Sequence, residues 1–151
     1  MQRSVLFVAG LMLAAALAQT VSAQSVAETN QAIDNILGDH APYEAAIKAL
    51  QMDLAASDLQ AVADLVSYPI TVTIGGKRHK VASATDFLRN YKAIFTPAIT
   101  KAVLEQHYET LFVNDQGVMF GKGEVWLNGI CKDTACTTFD VKIVTIQATD
   151  N

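Results

Sequence analysis

The chain passes from a helical pattern to a strand pattern at residues 69–81, PITVTIGGKRHKV. Apolar residues alternate with threonines over residues 70–74, and this period of two is typical of a half-buried strand. The pair Gly75-Gly76 predicts a tight turn, because glycine readily adopts the positive φ that two-residue hairpin loops require. Residues 77–81 provide the return strand, so we expect a β-hairpin near the middle of the chain.

The residues before the hairpin predict three helices. Ser25 and Glu28 have the spacing of a capping box, in which each side chain accepts a hydrogen bond from the backbone N–H of the other residue. A second helix is expected to begin near Pro42, because the fixed φ of proline suits a first helical turn. Ser57 and Gln60 repeat the capping-box spacing and predict the start of the third helix.

The residues after the hairpin predict two further helices and then strands. Ser83 is the expected N-cap of the first helix, and Thr96-Pro97 starts the second. The predicted strands are residues 111–113, one long strand over residues 118–127, and residues 138–146. Because helices and strands are segregated along the chain, we predict an α+β fold in which N-terminal helices pack on one face of a curved antiparallel sheet.

The composition is that of one globular domain of modest size. The chain has 151 residues, of which 51% are hydrophobic and 17% are charged, and no repeat or linker divides it. Its formal net charge is −4. Binding to phosphate backbones depends on clustered Lys and Arg, so we expect no nucleic-acid partner.

Residues 1–23 have the pattern of a signal peptide. Arg3 precedes an apolar run over residues 5–18, which is shorter than the roughly 20 residues that span a bilayer. The stretch at residues 21–23 ends in the small residues that a signal peptidase requires. We predict cleavage after this stretch, a single mature domain over residues 24–151 in the periplasm or outside the cell, and no membrane association once the leader is removed. An uncleaved membrane anchor is the alternative.

The two cysteines, Cys131 and Cys136, lie in a polar turn between two strand-like segments. Their oxidation would close the tip of a hairpin, as expected of an exported protein. A zinc site needs about four ligands, and the histidines at positions 40, 79 and 107 are scattered along the chain. We therefore predict a disulfide, no metal and no cofactor.

Residues 86–95 (DFLRNYKAIF) and residues 117–126 (GVMFGKGEVW), together with the order of elements, resemble small exported proteins of the nuclear transport factor two-like superfamily. The resemblance covers roughly residues 43–147. It implies a cone in which a bent sheet wraps around helices, a pocket between them, and a homodimer formed through the open sheet face. The superfamily includes isomerases, dehydratases and carriers, so the fold alone assigns no chemistry. Enzymatic members carry an Asp, or a His and an Asp, inside the cone, and no motif here matches those positions.

Glu124 and Trp126 are the first candidate binding residues. On one uninterrupted strand over residues 118–127 they share a face with Phe120. If that face lines the cone, an indole beside the acid raises the pKa of the Glu124 carboxyl and suits it to proton exchange. The alternative is a cross-strand ion pair between Glu124 and Lys142.

His107 and Tyr91 are the other candidate binding residues. His107 lies between Glu105 and Glu109 at two-residue spacing, so the three side chains share a face if this stretch is extended. Such a cluster suits a pH-responsive site or a base, and the alternative is an ordinary solvated surface. Tyr91 lies on a helix near the apolar stripe, where its hydroxyl reaches a pocket mouth or its ring simply packs in the core.

The run Lys77-Arg78-His79-Lys80 is the one concentration of positive charge in an acidic chain. It falls on an expected sheet edge, where lysines commonly block unwanted strand pairing. The alternative is a docking patch for an acidic partner.

The favoured functional hypothesis is an exported, non-catalytic binding protein. Its partner is a small apolar ligand in the cone pocket or a protein on the sheet face. The alternative is a small lyase or isomerase in which Glu124 or His107 abstracts a proton and Tyr91 stabilises the developing charge. A further alternative, suggested by size and acidity, is an inhibitor or immunity-type protein of the cell envelope.

Overall fold

The computed structural model describes residues 24–148, so the predicted signal peptide lies outside the described residues. The helices are α1 (Val26–Ile36), α2 (His40–Ala56), α3 (Leu59–Asp64), α4 (Ala84–Arg89), α5 (Tyr91–Ile94) and α6 (Pro97–Leu104), and a 3₁₀ turn spans Tyr108–Thr110. The strands are β1 (Ile70–Ile74), β2 (Lys77–Val81), β3 (Phe112–Asn114), β4 (Gly117–Phe120), β5 (Val125–Cys131) and β6 (Phe139–Ile146). The predicted α+β class is confirmed.

Local capping signals place the starts of α1, α4 and α6 where they were expected. Helix α2 begins at His40, before the predicted Pro42, and the single helix expected after Ser83 is divided into α4 and α5. Ser25 and Glu28 form a complete capping box, with Ser25 N donating to Glu28 Oε2 over 2.6 Å. Ser83 caps α4 by accepting from Asp86 N. Pro97 is the first residue of α6. These signals depend only on residues within one helical turn, which explains why the sequence reveals them.

The N-cap of α3 differs from the prediction. Ser57 has a φ of 55°, the left-handed conformation that ends α2, whereas an N-cap residue needs non-helical, usually extended backbone. Asp58 therefore takes the role, and its Oδ1 accepts from Ala61 N over 3.0 Å. The Gln60 side chain donates to Asp64 instead of reaching back to the cap.

The glycine hairpin forms as predicted. Strands β1 and β2 pair antiparallel, with Ile70 opposite Val81 and Ile74 opposite Lys77. Both turn glycines have positive φ, 56° at Gly75 and 75° at Gly76. The hairpin is a separate two-stranded sheet, so the prediction of one continuous curved sheet is not what the hydrogen bonding shows.

The second sheet is a meander of four antiparallel strands in the order β3-β4-β5-β6. The long strand predicted over residues 118–127 is wrong, because the chain reverses at residues 121–124 and Phe120 pairs with Val125. Positive φ at Gly121 and Gly123 permits this turn. The reversal puts Trp126 opposite Met119 and therefore on the face away from Phe120, contrary to the predicted shared face.

Helix α2 packs on the meander through Tyr43, which is 1% exposed. The Tyr43 ring lies 5.9 Å from the ring of Phe139, and its hydroxyl accepts from Gly129 N over 2.9 Å. A β-carbon at position 129 would lie 2.9 Å from the Phe139 ring, so only glycine allows this approach. On the same edge strand, β6, Ser67 N donates to Ile143 O and Ile143 N to Leu65 O, which attaches the segment between α3 and β1.

The predicted disulfide is present between Cys131 and Cys136, with Cα atoms 4.8 Å apart. It closes the tip between β5 and β6. Within residues 24–148, no helix has the length and apolar character needed to cross a membrane. The disulfide is compatible with secretion.

We predict that Asp58→Ala lowers the free energy of unfolding by about 1 kcal/mol, because the mutation removes the side-chain acceptor at the start of α3. Gln60→Ala is the matched control and should change it by less than about 0.5 kcal/mol. Urea denaturation followed by circular dichroism measures both. The assignment of the cap is wrong if the two variants lose the same stability.

Candidate functional site

The structure does not bring the four predicted binding residues into one cavity. Tyr91 lines a recess beside Leu59, whereas Glu124 lines a different cavity on one side of α6. Trp126 lies on a face of the meander, and His107 is exposed just after α6. Their individual roles in binding stay predictions, but they do not act on a common ligand atom.

Tyr91 belongs to an aromatic cluster. Its ring stacks on Phe95 at a centroid distance of 5.8 Å and meets Phe87 edge-on at 5.8 Å. Phe87 in turn contacts Tyr68. Burial raises the pKa of the Tyr91 hydroxyl, so this side chain is a neutral phenol at neutral pH.

Glu124 is 9% exposed and holds the turn between β4 and β5. Its Oε2 accepts from Lys122 N over 2.6 Å, and the same oxygen occupies the space that a β-carbon at Gly121 would need. The predicted ion pair with Lys142 is wrong, since Lys142 lies opposite Asn128 and its Nζ donates to Asp64 O. Glu124 is thus a carboxylate whose contacts stabilise a tight turn.

Two glutamines connect this turn to the helices. Gln51 of α2 donates to the carbonyls of Val103 and Gln106 at the end of α6. The Gln106 side chain then accepts from Gly121 N over 2.9 Å. The position of α6 is therefore fixed from both α2 and the β4–β5 turn.

His107 does not share a strand face with its acidic neighbours, so the predicted extended cluster is wrong. Glu105 is the C-terminal cap of α6, and Glu109 lies in the 3₁₀ turn Tyr108–Thr110. The backbone curls after His107 because Leu111 N and Thr110 N bond back to Tyr108 O and His107 O. Residues at two-residue spacing share a face only on extended backbone, and not on such a turn.

Trp126 belongs to a row of three apolar side chains that crosses the meander. The register places Phe112 opposite Met119 and Met119 opposite Trp126. The Phe112 and Trp126 rings meet edge-on at 6.4 Å, and Phe112 is 52% exposed. This row is an apolar strip on the sheet face.

An open groove of about 630 Å³ lies between the end of α5 and the length of α6. We call it the α5–α6 groove. Its lining residues are Lys92, Phe95, Pro97, Thr100, Lys101, Leu104 and Glu105. Apolar side chains meet here beside two lysines, and the nearest acid, Glu105, lies 3.8 Å from Lys101 Nζ.

A smaller cavity of about 240 Å³ lies on the other side of α6. It contains Glu124 and shares Lys101 and Glu105 with the α5–α6 groove. Both concave regions therefore depend on the placement of the same helix.

Sequence analysis missed Lys92, Lys101 and Leu104 as lining residues. The available signal was helical geometry: Ile99 and Val103 are four residues apart and share a buried face, whereas Leu104 falls outside that stripe. Leu104 is 41% exposed, which the count of apolar residues alone did not reveal.

Asp34, Asp39 and His40 bring potential metal-ligand atoms within 4.8 Å of one another at the α1–α2 junction. Their oxygens already have local roles. Asp34 accepts from the His40 backbone and ring, which lowers the pKa of its carboxyl. Asp39 caps α2 by accepting from Ala41 N. Both carboxylates therefore already accept hydrogen bonds from backbone N–H groups at the start of α2.

The disulfide tip contains a carboxylate with four donors. Asp133 accepts from the backbone N–H and the hydroxyl of both Thr137 and Thr138, at 2.8 to 3.0 Å. These hydrogen bonds hold the pKa of the Asp133 carboxyl well below its usual range. The tip is consequently fixed by both a covalent bond and an ionised side chain.

No protein-family model, curated protein or solved structure shows a significant match to this chain. The resemblance to the nuclear transport factor two-like superfamily stays a prediction.

We predict that Glu124→Ala lowers the free energy of unfolding by about 1–3 kcal/mol, because the turn loses a charged acceptor. Glu105→Ala is the control, since this carboxylate is exposed, and should change it by less than about 0.5 kcal/mol. Chemical denaturation measures both variants. Equal stability of Glu124→Ala and the wild type would contradict the structural role.

We predict that the Asp133 carboxyl titrates below its ordinary pKa of 3.8. Because the folded pKa is lowered, the ordering of the tip is fully present above about pH 4 and is lost as the pH falls through the lower folded value. Carbon-13 NMR of the carboxyl measures the midpoint. In ¹H–¹⁵N spectra, Asp133→Asn should speed amide exchange at Thr137 and Thr138. A carboxyl midpoint at or above 3.8 in the wild type contradicts the prediction.

Proposed function

We propose that this protein is an exported, non-catalytic binding protein whose α5–α6 groove takes a small amphiphile with an apolar tail and an anionic head group. The observation that carries the proposal is the groove itself, with apolar side chains beside Lys92 and Lys101. Ligand sites are typically concave and mostly apolar with a few charged groups that orient the ligand.

The base of the groove suits a binding role because it is rigid. Phe95 is 3% exposed and stacks on Tyr91, so the ring beneath the ligand is held by its neighbours. Leu104 stands at the other end and is 41% exposed. An alkyl chain laid between them would cover this leucine. Full burial of an exposed leucine side chain contributes about 1.5–3 kcal/mol, and Leu104, which is already more than half buried, would contribute part of that.

The charge of the groove favours an anionic head group. Lys92 and Lys101 supply two positive charges, and Glu105 supplies one negative charge at 3.8 Å from Lys101 Nζ. That distance makes a weak, exposed ion pair, which a stronger acceptor displaces at little cost. The net positive charge selects carboxylate or phosphate over ammonium.

The lyase or isomerase hypothesis receives less support from the geometry. It requires Tyr91 and either Glu124 or His107 near one reacting atom. Tyr91 and Glu124 line separate cavities, His107 lines neither, and the Glu124 carboxylate already accepts from Lys122 N. No feature of the described residues favours the inhibitor hypothesis over binding.

Export and the cone remain parts of this proposal. The disulfide supports an oxidising compartment, and the order of helices, hairpin and antiparallel meander supports the cone architecture. A homodimer through the sheet face would cover the apolar strip formed by Phe112, Met119 and Trp126.

We predict that the protein binds dodecanoate, below its micelle concentration, more tightly than dodecyltrimethylammonium, which has the same tail and the opposite charge. Isothermal titration calorimetry measures both. Lys92→Met with Lys101→Met should remove the preference for the anion. Failure to bind either compound, or equal binding by the wild type, contradicts the proposal.

A pair of matched substitutions locates the site. Leu104→Glu should weaken dodecanoate binding about tenfold, because it removes apolar contact and adds a like charge. Ile130→Glu is the control, since Ile130 is 39% exposed, close to the 41% of Leu104, and lies on β5 away from the groove. An equal loss in both variants would show that the groove is not the site.

A further inference from the structure

We propose that the outer edge of strand β2 is a docking surface for an extended acidic segment of a different protein, which adds to the hairpin as a third strand. This inference is independent of the amphiphile in the α5–α6 groove. It concerns residues 77–81, and neither Lys92 nor Lys101 takes part.

The first observation is an open edge. Among residues 24–148, β2 forms ladder hydrogen bonds with β1 alone, in the two-stranded sheet β1-β2. In an antiparallel pair the backbone groups of alternate residues point away from the partner strand. Strand β2 therefore presents N–H and C=O groups that an incoming strand can pair with.

The second observation is the charge of this edge. Lys77, Arg78, His79 and Lys80 are all exposed. None of the ion pairs found within the described part of the chain involves these four residues. Three formal positive charges on five residues are unusual in a chain whose net charge is −4, and they attract an acidic partner.

The charges lie on both faces of the hairpin. Arg78 and Lys80 stand opposite Thr73 and Thr71, on the outward face. Lys77 and His79 stand opposite Ile74 and Val72, on the face that carries the inward-pointing residues of β1. An added strand would thus meet positive charge whichever way its side chains point, so acidic residues on either face are favoured.

A recess of about 330 Å³ adjoins the same strand. His79 and Lys80 line it together with Asn90 and Arg89 of the α4 end. Arg89 uses one guanidinium nitrogen on Asp86, at 3.0 Å, and the guanidinium has further donors. The recess offers donors to an acidic side chain that projects from the added strand.

The same charges exclude a second copy of this chain. Antiparallel pairing of β2 with β2 of another molecule would place lysines and arginines opposite each other, which is destabilising. Edge protection against self-association and attraction of an acidic strand are thus two effects of one charge pattern. An anionic membrane or a nucleic acid would satisfy the side chains but would leave the edge backbone unpaired.

The test uses an acetylated and amidated peptide of four Glu-Val repeats, which has high strand propensity. A peptide of four Glu-Gly repeats carries the same charge with low strand propensity. Binding is followed by ¹H–¹⁵N NMR at low ionic strength, with hydrogen exchange of the β2 amides. We expect the Glu-Val peptide to bind at least several times more tightly and to slow exchange of outward-pointing amides in residues 77–81.

The matched variants separate a local site from overall charge. Lys77→Gln/Arg78→Gln/Lys80→Gln should weaken the Glu-Val peptide about tenfold, because three exposed ion pairs are lost. Lys48→Gln/Lys122→Gln/Lys132→Gln removes the same charge elsewhere and should leave the affinity within twofold. All six substituted residues are exposed. The exchange measurement on the wild type tests the proposal without using any variant.

Several outcomes overturn the proposal. They are equal affinity for the Glu-Gly peptide, unchanged affinity in the β2 variant, and no protection of β2 amides in the complex. Binding of phosphatidylglycerol vesicles, without binding of the Glu-Val peptide, would assign the charge to a membrane instead.

Discussion

The contact of Tyr43 with the meander is the constraint on which the rest of the arrangement depends. Tyr43 reaches Phe139 and the backbone of Gly129 only because position 129 has no side chain. This contact sets how closely α2 lies on β5 and β6. Helix α2 also carries Gln51, whose two hydrogen bonds hold the end of α6. Helix α6 forms one wall of the α5–α6 groove. The position of that wall therefore depends on how α2 packs on the meander through Tyr43.

The elements that neighbouring residues determine were predicted from the sequence. The predictions failed where a reversal of the chain, or the backbone conformation of one residue, decides the structure. Capping at Ser25 and the Gly75-Gly76 turn need only neighbouring residues, and both were predicted. The reversal at residues 121–124 was missed, because residues 118–127 were read as one alternating run. The four-residue turn shifts that alternation, and its only signal in the sequence is the pair of glycines at positions 121 and 123. At Ser57 and Asp58 two capable N-caps are adjacent, and only the left-handed φ of Ser57 decides between them.

The candidate site was harder to predict than the fold. Residue types drew attention to Glu124 and His107, yet an acid or an imidazole signals function only when other groups converge on it. In the structure the carboxylate of Glu124 faces its own turn, and His107 precedes a 3₁₀ turn. The groove instead arises where α5 ends and Pro97 restarts the helix, so its lining comes from a change of direction between two short helices.

The closed tip between β5 and β6 has a consequence for the resistance of the protein to proteolysis. Exposed loop tips are the preferred sites of proteolytic nicking, because a protease must draw the chain into an extended form within its cleft. Here the Cys131–Cys136 bond and the four donors around Asp133 oppose that extension. The connection between β5 and β6 is thus poorly suited to the cleft of a protease.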